Sequence, residues 1–212
     1  MTGLFKGISL SYKNAPVDIR ENIALGAEES GQVMKHIKDF TEAGEVLVVS
    51  TCNRTEVYYS SARTLTRDII KIIGVVKGYS SEKLSPYFVE FLDSQEAVQH
   101  LFHVSIGLES MVLGDIQITG QIKDSYQLSA DMDMAGPFLH RLMHTIFFTN
   151  KRIVQETSFR DGAASVSYAS AELASELVKG IISPKALILG VGEMGADTGR
   201  NLVGTNIEQV GV

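Results

Sequence analysis

Cysteine is nearly absent: Cys52 is the single one in 212 residues, so no internal disulfide can staple the fold. That scarcity agrees with a reducing compartment. It leaves two uses for the thiol, packing in a core or nucleophilic chemistry. Long apolar runs are missing too. No stretch approaches the ~20 consecutive apolar residues of a membrane span. Met1-Thr2-Gly3-Leu4-Phe5-Lys6 also lacks the basic start and long apolar segment of a secretory leader, so the expectation is a cytoplasmic protein with no membrane partner. Lys and Arg number 19 against 25 Asp and Glu, a formal net charge of -6. This argues against a surface that is wholly a nucleic-acid footprint and leaves room for a local basic face. There is no internal repeat and no low-complexity linker. What is present is 44% hydrophobic residues, enough for a full core and for one domain plus part of another.

Periodicity orders the elements. Phe5 to Tyr12 reads as a strand, and Glu28 to Thr41 as a helix with Val33, Ile37 and Phe40 on one side. Glu45 to Thr51 reads as a second strand and Thr55 to Ser60 as a third, joined by a tight turn at Cys52 to Arg54. Leu65 to Lys77 carries Ile69, Ile70, Ile72, Ile73 and Val76 at helical spacing, and Pro86 to Phe91 is a fourth strand. The order β-α-β-β-α-β predicts an α+β, ferredoxin-like split βαβ, whose antiparallel sheet can leave one face to its two helices. After Asp93 the pattern turns helical. Asp93 or Ser94 caps a helix with Ala97, Val98, Leu101, Phe102, Ser105 and Leu108 facing inward, leaving His100 and His103 on another flank. Ser110 to Gly114 reads as a loop, Ile116 to Ala130 and Pro137 to Thr157 as helices, Asp161-Gly162 as a break, and Ser165 to Lys179 as a helix stopped at Gly180.

The thiol lies in Ser50-Thr51-Cys52-Asn53-Arg54-Thr55-Glu56, directly after the buried-strand run Val46-Leu47-Val48-Val49. A strand end is a place that presents a side chain to a substrate. Its neighbours are polar or charged, unlike an apolar core pocket, which weighs toward chemistry over packing.

A different composition begins at Pro184. Ala186 to Leu189 is a strand running into Gly190-Val191-Gly192-Glu193-Met194-Gly195, a Gly-x-Gly-x-x-Gly turn, with Ala196 to Leu202 as the following helix. Such glycines let the backbone approach a pyrophosphate at a helix N-terminus; an ordinary strand-to-helix turn is the competing reading. Ile207 to Val212 reads as the next strand. The residue that usually separates NAD from NADP would follow it.

Taken with Tyr12-Lys13-Asn14-Ala15-Pro16-Val17, Gly107 to Gln117 (Gly-Leu-Glu-Ser-Met-Val-Leu-Gly-Asp-Ile-Gln), Gly120-Gln121-Ile122-Lys123 and Ser165-Val166-Ser167, these motifs resemble the glutamyl-tRNA reductase family over almost the whole chain. The cysteine segment and Gly107 to Lys123 carry the resemblance; the glycine turn supports it. The resemblance implies a catalytic domain over 1–157, ferredoxin-like in 1–92 and helical in 93–157, followed over 158–212 by a connecting helix and the start of a Rossmann-type NADPH-binding domain. Family members are longer, so the chain is expected to be a truncated fragment.

The same resemblance implies Cys52 as the nucleophile that takes the glutamyl group from glutamyl-tRNA as a thioester, which NADPH then reduces to glutamate-1-semialdehyde for tetrapyrrole synthesis. Arg54 would bind a glutamyl carboxylate, with Thr51 and Asn53 beside it, and Ser110, Asp115, Ile116, Gln117 and Gln121 completing the pocket. Gly190, Val191, Gly192, Glu193, Met194 and Gly195 would hold NADPH. His100 matches the histidine that the family needs for full activity, as acid, base or orienting group; a surface histidine is the plain alternative. Glu96, His100 and His103 share a helical face, but no second ligand cluster accompanies them, and no metal is expected. Two departures stand out: the family usually has Glu at Asp115 and His at Tyr12. Asp115 serves either a substrate ammonium or the cap of the helix beginning at Ile116. His140, Arg141, His144, Lys151 and Arg152 form a flank opposite Leu142, Met143, Ile146 and Ile153, either a tRNA-phosphate stripe or a solvated face. The resemblance further implies a homodimer for the longer protein, a monomer or weak dimer for this fragment, and partnership with glutamate-1-semialdehyde aminomutase. A binding or regulatory module without reductase activity, and an unrelated thiol hydrolase, are the alternative functions.

Overall fold

A computed structural model of the chain describes residues 4–159 and 166–212. Strands β1 (Phe5–Ser11), β2 (Glu45–Thr51), β3 (Arg54–Ser60) and β4 (Val89–Phe91) form one sheet in the order β2-β3-β1-β4. All three neighbouring pairs are antiparallel. With helices α1 (Val17–Ile23), α2 (Ala27–Phe40), α3 (Thr66–Lys77) and the short α4 (Ser81–Leu84) between them, this is the expected split βαβ.

Alternation along the strands divides the core in two. Ile8, Leu10, Val46, Val48, Val57 and Tyr59 face α1 to α3, which contribute Ile19, Ile23, Val33, Met34, Ile37, Ile69, Ile70 and Ile73. Phe5, Leu47, Val49 and Tyr58 face the other way. That second face is covered by α5 (Ser94–Ser105), α6 (Gln117–Asp131) and α7 (Pro137–Glu156), through Leu101, Val104, Ile122, Leu139, Met143 and Ile146. The sheet therefore has helices on both faces. Asp93 caps α5 as expected, accepting from Gln95 N and Glu96 N, but Val104 replaces Leu108, which is exposed, in its inward stripe. Phe40, expected on the buried side of α2, ends that helix 76% exposed.

Helix α7 is anchored to the sheet by a distant cap. The buried Glu45 carboxylate accepts from Phe138 N at 3.0 Å through Oε1 and from Ser60 Oγ at 3.0 Å through Oε2, satisfying an N–H that the helix cannot pair internally. A Cβ at Gly136 would lie 2.2 Å from that Oε1, so a larger residue there would have to displace the carboxylate.

The remaining unit comprises α8 (Val166–Leu177), β5 (Lys185–Leu187), α9 (Glu193–Leu202) and β6 (Gln209–Gly211). β5 and β6 pair in parallel, making a βαβ with α9. Its core holds Ala171, Leu202 and Ile207, while Ile182, Leu187, Leu189 and Val203 are largely exposed. The expected break at Asp161-Gly162 and the helix start at Ser165 lie outside the described residues. Strand bounds differ elsewhere too: Pro86 sits in a 3-10 turn, Ser85–Tyr87, because it lacks the N–H that a strand needs.

Candidate active site

Thr51 pairs with Arg54, so Cys52 and Asn53 are the two-residue turn of the β2–β3 hairpin. The thiol is exposed; it is not core filler. The turn is fastened from outside. Tyr12 N donates to Asn53 O at 2.9 Å, and Arg20 Nη1 donates to Cys52 O at 2.9 Å and to Asn53 Oδ1 at 3.0 Å.

Behind the turn, on the sheet face covered by α5, lies a buried polar cluster. Arg54, Glu56 and Tyr58 alternate onto this face of β3, as period two requires. Glu56 is fully buried and accepts from Arg54 Nη1 (2.9 Å), Ser9 Oγ (2.7 Å) and Tyr58 OH (2.7 Å), with His100 Nε2 at 3.2 Å. Burial by itself would raise its pKa. The hydrogen bond from His100 and the Arg54 charge outweigh that, and hold the carboxyl at about 2. Burial, and then the Glu56 charge, push the Tyr58 phenol well above its ordinary value, so it remains a neutral donor. His100 stacks on Phe91, ring centroids 4.1 Å apart, and is 14% exposed at its side chain. It is thus an inward residue of α5 and not the surface histidine of the plain alternative.

A loop from Gly107 to Asp115 forms the other wall. Gly107 and Gly114 have φ of +84° and +82°, and Gly114 N donates to Gly107 O at 2.9 Å, closing the loop at its neck. Tyr12 OH donates to Ser110 O at 3.2 Å. Arg54 Nη2 donates to Glu109 O, and Lys13 pairs with the Glu109 carboxylate. Tyr12 therefore ties this loop to the sheet. Asp115 Oδ1 accepts from Gln117 N at 2.9 Å, realising the cap at the start of α6.

Between hairpin and loop opens a narrow cavity of about 50 Å³. Thr51, Cys52, Asn53 and Arg54 line it from the hairpin, Ser110 and Asp115 from the loop, Gln117 and Gln121 from α6. Met111, Val112 and Ile118 add apolar wall, and Val166 and Met194 reach it from α8 and α9. Of the expected pocket residues, Ile116 is not among its lining and is 56% exposed. His100 lies behind the lining, joined to it through Glu56 and Arg54. Arg54 is 2% exposed, with donors engaged by Glu56 and Glu109 as well as facing the cavity. Sequence reasoning missed Arg20 and the carboxylate hub at Glu56. A charge within the Ile19–Ile23 stripe, and charged residues alternating with Val57 and Tyr59, were the available signals.

The glycine turn has the geometry of a close-approach site. Gly190 has φ of +102°, and a Cβ on Gly195 would lie 2.1 Å from Gly190 O, so both favour glycine. Gly192 is the N-cap of α9, with open space where a Cβ would point; Val191 is exposed, and Glu193 and Met194 open the helix. These residues fit a dinucleotide phosphate at a helix N-terminus. On α7, His140 is turned onto the Tyr126 hydroxyl and Arg152 pairs with Glu156, leaving Arg141, His144 and Lys151 as the exposed remainder of the basic flank.

An exposed thiol on a hairpin of the antiparallel sheet, beside a polar cavity, defines a thiol-centred mixed α/β domain that is followed by a short parallel βαβ. The family model described as "Glutamyl-tRNAGlu reductase, N-terminal domain" matches residues 8–157. The chain belongs to the glutamyl-tRNA reductase family. It is 55% identical over 202 residues to the glutamyl-tRNA reductase of Cytophaga hutchinsonii, covering 95% of this chain and 48% of that protein. It is 38% identical over 207 residues to that of Bacillus subtilis, covering 97% and 45%. Glutamyl-tRNA reductase from Methanopyrus kandleri superposes with a TM-score of 0.68 at 27% identity, covering 98% of this chain and 48% of that one. The chain thus spans about half the length of these relatives.

Proposed function

We infer that this chain carries the acyl-transfer site of a glutamyl-tRNA reductase acting in the cytoplasm in tetrapyrrole synthesis. The observation that carries this reading is the exposed Cys52 thiol at the rim of a cavity walled by Arg54, Asp115, Gln117 and Gln121. The Cys52 sulfur attacks the carbonyl carbon of the glutamyl ester; the C–S bond forms, the C–O bond to the terminal ribose breaks, and the thiol proton ends on the ribose oxygen. Arg54 receives the glutamyl carboxylate on its cavity side, while Glu56 holds its guanidinium in plane. Asp115 faces the ammonium. Because Glu56 stays ionised, His100 presents Nε2–H to it, which leaves Nδ1 as the nitrogen free for proton traffic. NADPH, when bound, supplies the hydride that turns a thioester into an aldehyde. Gly190, Gly192 and Gly195 would hold its phosphates, within a Rossmann-type domain begun by β5, α9 and β6. Met194, which follows Gly192 and also lines the Cys52 cavity, supports a common site for the two steps. The longer protein is a homodimer in this reading, passes its semialdehyde to an aminomutase, and meets tRNA phosphates along Arg141, His144 and Lys151.

Incubation with glutamyl-tRNA labelled in the glutamyl group tests the first step. Label should become acid-stable on the protein, be released by hydroxylamine, and be absent in Cys52→Ser, since a hydroxyl is far less nucleophilic at neutral pH. Binding of glutamyl-tRNA without label transfer would favour a binding module, and equal labelling of the serine variant would remove Cys52 from the chemistry.

A further inference from the structure

Helix α1 buries Ile19 and Ile23 in the core, and between them it carries a guanidinium inward. Arg20 is 9% exposed. Its acceptors are all uncharged: Nε donates to Ala15 O at 3.3 Å, and Nη1 donates to Cys52 O and Asn53 Oδ1. Among the described residues, no carboxylate pairs with it. Buried cations are ordinarily matched by an anion, because desolvation otherwise disfavours them. This one is kept unmatched, with two of its three bonds on the nucleophile's turn.

The turn needs an outside support. Two-residue hairpin loops usually adopt the primed turns, which require positive φ at the first loop residue and whose twist matches that of the strands. Neither Cys52 nor Asn53 has positive φ. The peptide between them is therefore held in an unprimed turn, fixed on one side by Arg20 and on the other by Tyr12 N and by Thr51 Oγ1, which accepts from Asn53 N at 3.1 Å.

We propose that Arg20 is the positioning residue of Cys52: its Nη1 straps the Cys52 carbonyl to the Asn53 side chain, and its unmatched positive charge sits beside the centre where negative charge gathers during acyl transfer. The proposal rests on the thioester reading of the site. As the C–S bond forms and the ribose C–O bond breaks, charge develops on sulfur and on the ester oxygen, and a fixed cation in a low-dielectric setting favours that change without reorganising. Arg54 cannot substitute for it, because the Glu56 carboxylate already matches that guanidinium.

The test uses the 212-residue chain and its Arg20→Gln and Arg20→Ala variants. In single-turnover thioester formation, Arg20→Gln should lower the rate at saturating glutamyl-tRNA by about 100-fold, the usual consequence of a misplaced reacting group, and leave the half-saturating concentration within about twofold. Alkylation of Cys52 by iodoacetamide, which needs no tRNA, should slow as well. Ethylguanidinium added to Arg20→Ala should restore both rates while ethylammonium does not; a helix that merely packs less well would not respond in this way. Parent rates in Arg20→Gln, or failure of ethylguanidinium to restore a folded Arg20→Ala, would overturn the proposal. If the parent is never acylated, the thioester reading fails by itself, and alkylation still decides whether Arg20 positions the thiol: slower in the variant upholds the strap, equal rates refute it.

Discussion

Replacing Glu56 by Gln is the sharpest perturbation of the buried cluster. The substitution keeps the side-chain volume and removes the charge that faces Arg54 Nη1 at 2.9 Å, with both partners almost wholly buried. It also leaves His100 Nε2, Ser9 Oγ and Tyr58 OH to a neutral amide that cannot accept from all of them. Breaking a buried pair by removing one member costs about 3–5 kcal/mol. In a chain of this length each kcal/mol moves Tm by roughly 2–4 °C, so Glu56→Gln should melt about 6–20 °C below the parent in a circular-dichroism scan at neutral pH. The pH dependence has a defined sign. The folded pKa of Glu56 is depressed from 4.5 to about 2, so its ionised form stabilises the fold above about pH 4.5 and that contribution is lost as pH falls toward 2. The gap between parent and variant should therefore shrink across that interval. A variant melting within about 2 °C of the parent at pH 7, or a gap unchanged down to pH 3, would refute the description of Glu56 as an ionised hub.

Other perturbations follow from named contacts. Arg54→Lys keeps a charge near Glu56 but loses the planar fork that reaches both Glu56 and Glu109 O; adduct yield should fall at least about tenfold and stability by about 1–2 kcal/mol, measured by label transfer and urea unfolding. Glu45→Ala should cost about 1–2 kcal/mol in urea unfolding, since the N-terminus of α7 loses its acceptor. Gly107→Ala places a Cβ 3.0 Å from Asp115 N at φ of +84°; about 1–3 kcal/mol of strain should loosen the loop, read as faster proteolysis between 107 and 115 and lower adduct yield.

How far the sequence reveals this molecule depends on the kind of information each part needs. β2 was readable to its ends because Val46 to Val49 is a continuous apolar run bounded by polar residues, and its pairing with β3 follows from the turn at Cys52. Helix α1 was not, since seven residues give barely two turns and Ile19 and Ile23 alone do not establish a period. The second layer of helices was readable as helices, but their place on the sheet depends on Leu47, Val49 and Tyr58 facing away from α1 to α3, which requires the register. At the site, Cys52 came from its place at a strand end among polar neighbours, and the polar wall came from motif resemblance. The burial of Glu56 and Arg20 did not, because a charged residue reads as exposed until its partners are located in three dimensions. The same reason turned His100 from a helix flank into an inward group.

Transfer of the glutamyl group to Cys52 can be read by peptide-level mass spectrometry after mixing the chain with glutamyl-tRNA. One glutamyl residue should appear on the peptide carrying Cys52, be lost on hydroxylamine treatment and be absent from Cys52→Ser. An unmodified Cys52 peptide alongside intact, bound glutamyl-tRNA, or a glutamyl group found on another residue, would contradict it.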